Sequence, residues 1–185
     1  MTAESDERTP SDKDSSLEES DTSAKLCIAV VTITSNGSIE EDEAGGAIVD
    51  AFEAAGHEIA TRELIANDHD NVQSKISRLL DRDDVDIIVT TGGTGIEPDD
   101  VTVEAVDPLL EKELPAFVDL FHLVSYDEIG TSVVASRTLA GVSERIPVFC
   151  LPNNPVATRI ASESIIIPEA DRLTALANGN GRKND

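Results

Sequence analysis

From Leu26 to Ile33 the chain is apolar at every position but Thr32, and a run of that kind is fully buried only if both of its faces are covered. That is the pattern of a central strand in a parallel sheet. Val85 to Thr91 (VDIIVTT) repeats it, and His57 to Ile65 fits a further strand. Between these segments the period changes. Ile48, Phe52 and Ala55 recur at helical spacing, which predicts a helix from about Glu43 to Ala55 stopped by Gly56, a residue free to turn left-handed. Val72, Ile76, Leu79 and Leu80 mark the apolar stripe of a second helix. Strand and helix alternate, so the expected fold class is α/β with a mainly parallel sheet and right-handed crossovers.

Farther along, Thr102 can cap a short helix, and Phe117, Leu120, Phe121 and Val124 outline another one ahead of Gly130. Thr138 to Val142 and Pro147 to Leu151 read as two strands joined by the polar turn Ser143 to Arg145. Asn154-Pro155 then opens a last helix, with proline suited to its first turn, running to about Ala177 with an interruption at Pro168. Residues 1–22 carry eight acids and two bases with almost nothing to bury, which predicts a disordered acidic tail. The domain is expected over residues 23–178 and a frayed end over 179–185.

The formal net charge is -23, from 37 acidic against 14 basic residues. Nucleic acid is excluded as an expected partner, because no basic patch could release counterions from a phosphate backbone. The acidity fits adaptation to molar salt, where the Debye length falls to about 3 Å and like charges are screened. An acidic-tail interaction protein is the other reading. Cys27 and Cys150 each lie in an apolar run without a CxxC or histidine partner and read as buried small hydrophobes. His57, His69 and His122 lack ligand spacing, so no structural metal is expected, and no Ser-His-Asp arrangement is evident. With no run of about 18 apolar residues and an acidic N-terminus, no membrane association is expected and the protein is placed in the cytoplasm.

Chemistry concentrates after the strands. TTGGTGIEPDDVT, Thr90 to Thr102, follows a buried strand and precedes a helix, where a doubly wound sheet puts its ligands. Gly92, Gly93 and Gly95 let the backbone approach an anion, and Thr91 and Thr94 add hydroxyls. It is neither a P-loop nor GxGxxG, and a tight turn that needs glycine is the plainer reading. Asp99 and Asp100 close the loop. A carboxylate beside an anion site implies an intervening divalent cation, Mg²⁺ on Asp100, unless one of the pair caps the next helix. Ser35, Asn36 and Ser38 follow the first strand as further donors. Pro152, Asn153 and Asn154, in LPNNP, follow the last one, where the helix could offer free N–H groups or merely be capped. Ser136-Arg137 brings a rare base, able to clamp a phosphate or to form a surface ion pair.

In order and spacing, TTGGTGIEPDDVT, EIGTSVVASRTLAGV and FCLPNNPVATRIASESIIIPEAD resemble the MoaB/MogA family of molybdenum-cofactor biosynthesis, as does TITSNGSIEEDEAGGAIVDAFEAAGHEI nearer the N-terminus. The similarity spans about Lys25 to Leu176. It implies a three-layer α/β domain, assembled as a homotrimer or homohexamer, that binds molybdopterin and, in active members, adenylylates its phosphate with ATP and Mg²⁺. Gly92, Gly93, Thr94 and Gly95 would cradle the substrate, Asp100 would serve the metal-assisted transfer, and Ser136 would lie near the pterin. Three positions depart from the family pattern. Ser35-Asn36 stands for Ser-Asp, and Leu151 to Asn154 stands for Leu-Pro-Gly-Ser. A further catalytic acid falls on Asp68 or on Asn67, and in the latter case a carboxylate is missing. A non-catalytic molybdopterin carrier is therefore an alternative, and a CinA-type nucleotide-hydrolysing domain is another.

Overall fold

The structure is a computed structural model that describes residues 24–180. The acidic tail expected over 1–22, and the end beyond 180, lie outside the described residues. The chain alternates as β1 (Cys27–Ile33), α1 (Glu43–Ala54), β2 (Glu58–Ile65), α2 (His69–Leu80), β3 (Ile87–Thr91) and α3 (Thr102–Val106). It continues with β4 (Lys112–Glu113), α4 (Pro115–Ile129), β5 (Leu139–Ser143), β6 (Ile146–Leu151), α5 (Pro155–Ala161) and α6 (Ile167–Ala177). The six strands form one sheet in the order β2-β1-β3-β6-β5-β4, parallel from β2 to β6 and antiparallel from there to β4. Among the described residues no helix is long and apolar enough to cross a membrane.

Burial explains the order. β1, β3 and β6 carry the continuous apolar runs and lie inside the sheet, and every residue of β3 and β6 is buried. On one face Ile28, Val30, Ile87, Val89 and Phe149 pack with Ile48 and Phe52 of α1, Phe117 and Phe121 of α4, and Ala157, Ala161 and Ile166 of the C-terminal helices. On the other, Ala29, Val31, Ile88, Val148 and Cys150 meet Val72 and Ile76 of α2 and Ala105 and Val106 of α3. Adjacent residues of one strand thus feed opposite cores, which makes the molecule three-layered.

Several local expectations change. Thr102 is the first residue of α3 rather than its cap, and its hydroxyl donates backwards to the Gly92 carbonyl at 2.8 Å. Neither Asp99 nor Asp100 caps that helix, which has no side-chain cap. The last helical stretch is broken ahead of Pro168 by one π turn, Ser162–Ile166. Proline brings no N–H to the Ser164 carbonyl, and a wider turn is the usual accommodation. Leu120 points outward, 48% exposed, and Cys27 is only half-buried. β4 is too short to show in the sequence pattern. The β5–β6 hairpin turns on Glu144 (φ 46°) and Arg145 (φ 68°), the doubly left-handed geometry of a two-residue loop, carried here without asparagine or glycine.

Register sets the functional edge. Thr32 of β1 pairs with Thr91 of β3, and Thr91 pairs with Leu151 of β6, so the chain leaves three parallel strands at one level. The loops that follow start side by side on the carboxyl rim, where open α/β sheets bind ligands.

Candidate anion site at the carboxyl edge of the sheet

The loop after β3 is fixed almost wholly through its carbonyls. The Gly92 carbonyl accepts from the Thr102 hydroxyl, and that of Gly93 from the Thr102 N–H at 2.9 Å. The Thr94 carbonyl accepts from the Arg137 N–H at 2.9 Å, and that of Gly95 from Arg137 Nε at 2.6 Å. These peptides are trans, so each N–H points away from the carbonyl of its own plane. The amides of those four planes belong to Gly93, Thr94, Gly95 and Ile96. Among the described residues none of the four donates to a protein acceptor. Successive N–H groups without a protein acceptor are the kind of donor row that can receive an anion.

Glycine is required where this loop bends. Gly92 (φ 97°) and Gly93 (φ 65°) are left-handed; a Cβ at Gly92 would strike the Ile33 carbonyl and one at Gly93 the Thr102 hydroxyl. Gly93, Thr94 and Gly95 line a cavity of about 420 Å³ together with Glu97, Asp100, Ser136, Pro152, Asn153 and Asn154. Thr94 is 1% exposed, and its hydroxyl has no hydrogen-bond partner among the described residues. Such a group costs free energy until something meets it.

The other expected site residues are sorted by this geometry. Ser136 lines the cavity with its hydroxyl 3.1 Å from that of Thr138. Thr91 does not face it: its hydroxyl donates to the Pro152 carbonyl at 2.9 Å, tying the β3 loop to the β6 loop. Asn154 caps α5, its carbonyl oxygen accepting from Val156 and Ala157 N–H at 3.0 Å each. With Pro155 lacking an N–H, the first turn of α5 keeps little to offer an anion. Asn153 stays open and also borders a second cavity of about 200 Å³ formed by Thr34, Asn36, Ser38 and Asp42 of the β1 loop. Ser35 is exposed and borders neither cavity. Only its neighbours meet that expectation.

Two corrections concern charge. Asp68 caps α2, accepting from the Asn71 N–H at 2.9 Å, and does not line the 420 Å³ cavity. It is Asn67 that packs on the loop: its Oδ1 is buried without a partner among the described residues, and a Cβ at Gly93 would come within 3.0 Å of it. The chain carries an amide where a carboxylate was one of two expectations. Arg137 is not aimed into the large cavity as an anion clamp, since its guanidinium bonds Gly95, the Asp100 carbonyl (3.0 Å) and Glu104. The donated hydrogen bond from Arg137 holds the Glu104 carboxyl below its ordinary value, and the same bond raises Arg137. Asp100 accepts from the Glu97 N–H at 2.9 Å through Oδ2, with both residues on the cavity wall.

Asp42 was missed among the acids of EEDE. Its side chain is 3% exposed and accepts from the Thr32 hydroxyl (2.6 Å), the Gly45 N–H (2.9 Å) and Arg62 (3.2 Å), which anchors the β1 loop. The available clue was Thr32, the one polar residue in the β1 run. Cys150, fully buried beneath this rim, has its thiol pushed up to about 12 by burial and is no nucleophile.

Residues 22–172 match the family model described as "Probable molybdopterin binding domain". The chain belongs to the MoaB/MogA family. It is 36% identical over 146 residues to molybdenum cofactor biosynthesis protein B of Bacillus cereus, covering 78% of this chain and 86% of that one. A crystal structure of a molybdenum cofactor biosynthesis protein B superposes with a TM-score of 0.81 at 34% identity, covering 84% of this chain and 98% of the other. The tungsten cofactor synthesizing protein MoaB from Pyrococcus furiosus gives 0.73 at 29% identity, covering 83% and 97%. The two superposed structures share this α/β architecture of a sheet between helices.

Proposed function

We propose that this MoaB/MogA-family protein acts in molybdenum-cofactor biosynthesis, binding molybdopterin by its terminal phosphate and adenylylating that phosphate with ATP. The observation that carries the reading is the row of amides from Gly93 to Ile96 that, like the Thr94 hydroxyl, have no partner among the described residues. Neutral donors suit a phosphate in a protein this acidic, because they attract it without any net positive charge. Two polyanions must meet for transfer, and the two cavities that share Asn153 give room for both. In the reaction an oxygen of the pterin phosphate attacks the α-phosphorus of ATP, the new P–O bond forms, and the bond to pyrophosphate breaks. The attacking oxygen is already ionised near neutral pH, so positioning and charge compensation are the protein's main contributions.

A divalent cation fits this wall. Asp100 Oδ1 has no protein donor among the described residues, and Glu97 lies in the same cavity; one or two carboxylates with substrate phosphates are the usual Mg²⁺ environment. Asp100 and Glu97 would hold the ion, which would offset phosphate charge. As the resemblance implies, the working unit is a homotrimer or homohexamer, and Leu120, Leu123 and Tyr126, exposed on α4, are apolar surface that assembly would cover.

The amide of Asn67 favours a second reading, a molybdopterin carrier without turnover, since a carboxylate expected of active members is then lacking. Pyrophosphate release from ATP and Mg²⁺ in the presence of molybdopterin at high salt separates the two. Turnover that falls at least about a hundredfold in Asp100→Asn, with molybdopterin affinity retained, supports the transferase. Tight pterin binding with no pyrophosphate from well-folded protein selects the carrier, and absence of pterin binding rejects both.

A further inference from the structure

Arg137 does not line the 420 Å³ cavity: it borders an adjoining hollow with Pro98, Val101 and Glu104 that shares Ile96, Glu97 and Asp100 with that cavity, while its neighbour Ser136 lines the cavity itself. From there it takes the two carbonyls that decide the direction of the loop's last free amides. Its main-chain N–H holds the Thr94 carbonyl, and its Nε holds the Gly95 carbonyl. Planarity then turns the N–H groups of Gly95 and Ile96 away from Arg137. Its Nη2 also reaches the Asp100 carbonyl at 3.0 Å, fixing the backbone that carries the proposed cation ligand. Glu104 pairs with the guanidinium and cancels its charge toward the ligand.

We propose that Arg137 is a positioning residue whose side chain forms a charge-neutral clasp with Glu104 that presets the Ile96 amide and the Asp100 backbone for the phosphate without touching it. The proposal rests on the anion-site reading above. Lysine is a poor replacement, because a single ammonium cannot span two carbonyls and a carboxylate in one plane.

The test measures affinity for molybdopterin and, separately, for inorganic pyrophosphate, in wild type, Arg137→Gln, Arg137→Lys and Glu104→Gln, with melting temperatures recorded for each. Expected is a loss of roughly tenfold or more for both ligands in Arg137→Gln, a smaller loss in Arg137→Lys, and little change in Glu104→Gln, whose amide oxygen still accepts from the clasp. Added guanidinium at millimolar level should restore much of the affinity of Arg137→Gln, a rescue that a general loss of stability would not show. If wild type binds pyrophosphate but not molybdopterin, the pterin reading fails while the clasp stands or falls on the pyrophosphate series. Unchanged pyrophosphate affinity in folded Arg137→Gln, a loss larger in Glu104→Gln than in Arg137→Gln, or wild type binding neither ligand overturns the clasp. Should Arg137→Gln fold poorly, Arg137→Lys carries the test, and wild-type affinity there has the same consequence.

Discussion

Gly93 and Thr94 are neighbours with opposite signatures. Gly93→Ala must hold a left-handed φ and displace the Thr102 hydroxyl, so it should cost about 1–3 kcal/mol in urea unfolding and lower molybdopterin affinity as well. Thr94→Val keeps shape and removes a hydroxyl that has no partner among the described residues; stability should stay within about 0.5 kcal/mol of wild type while molybdopterin binding weakens roughly tenfold. Equal loss of stability and affinity in Thr94→Val would mean that the hydroxyl has a partner inside the protein. The glycine and threonine types were legible in the sequence because glycine is needed wherever a chain must bend left-handed beside a ligand. Which threonine lines the cavity was not legible: Thr91 is held by Pro152, sixty-one residues away in sequence, whereas Thr94 has no such partner among the described residues. Asn67 and Asp68 were inseparable for the same reason, since one residue of offset decides which caps α2 and which meets Gly93.

Elements were read best where burial is continuous and worst where chemistry is local. β1 and β3 follow from their apolar runs, whereas the two-residue β4 and the π turn before Pro168 depend on partners and missing donors that periodicity does not encode. The β5–β6 hairpin offers a direct check. Replacing Glu144 with Asn and Arg145 with Gly supplies residues that adopt φ > 0 readily and should stabilise the fold by about 1 kcal/mol, read as a higher urea midpoint at unchanged slope. Asn154→Ala should cost about 1 kcal/mol through the lost α5 cap.

At the scale of the whole molecule, charge sets the conditions. Glu63 and Glu104 are held below their ordinary value of 4.5 by hydrogen bonds from Lys75 and Arg137. Their contribution is complete above pH 4.5 and is lost as pH falls through the depressed folded values, so stability should decline below about pH 4. With a net charge of -23, the melting temperature should climb as KCl is raised from about 0.1 to 2 M, since self-repulsion is screened. A flat response would remove the salt-adaptation reading. None of this directs the ligand; in the proposed function the bare amides on the carboxyl rim do. A crystal structure with molybdopterin bound is the most direct test. The expected density places the terminal phosphate within hydrogen-bond distance of the Gly93 to Ile96 N–H groups and the Thr94 hydroxyl. A phosphate seated elsewhere, with those four amides still unpaired, would contradict it.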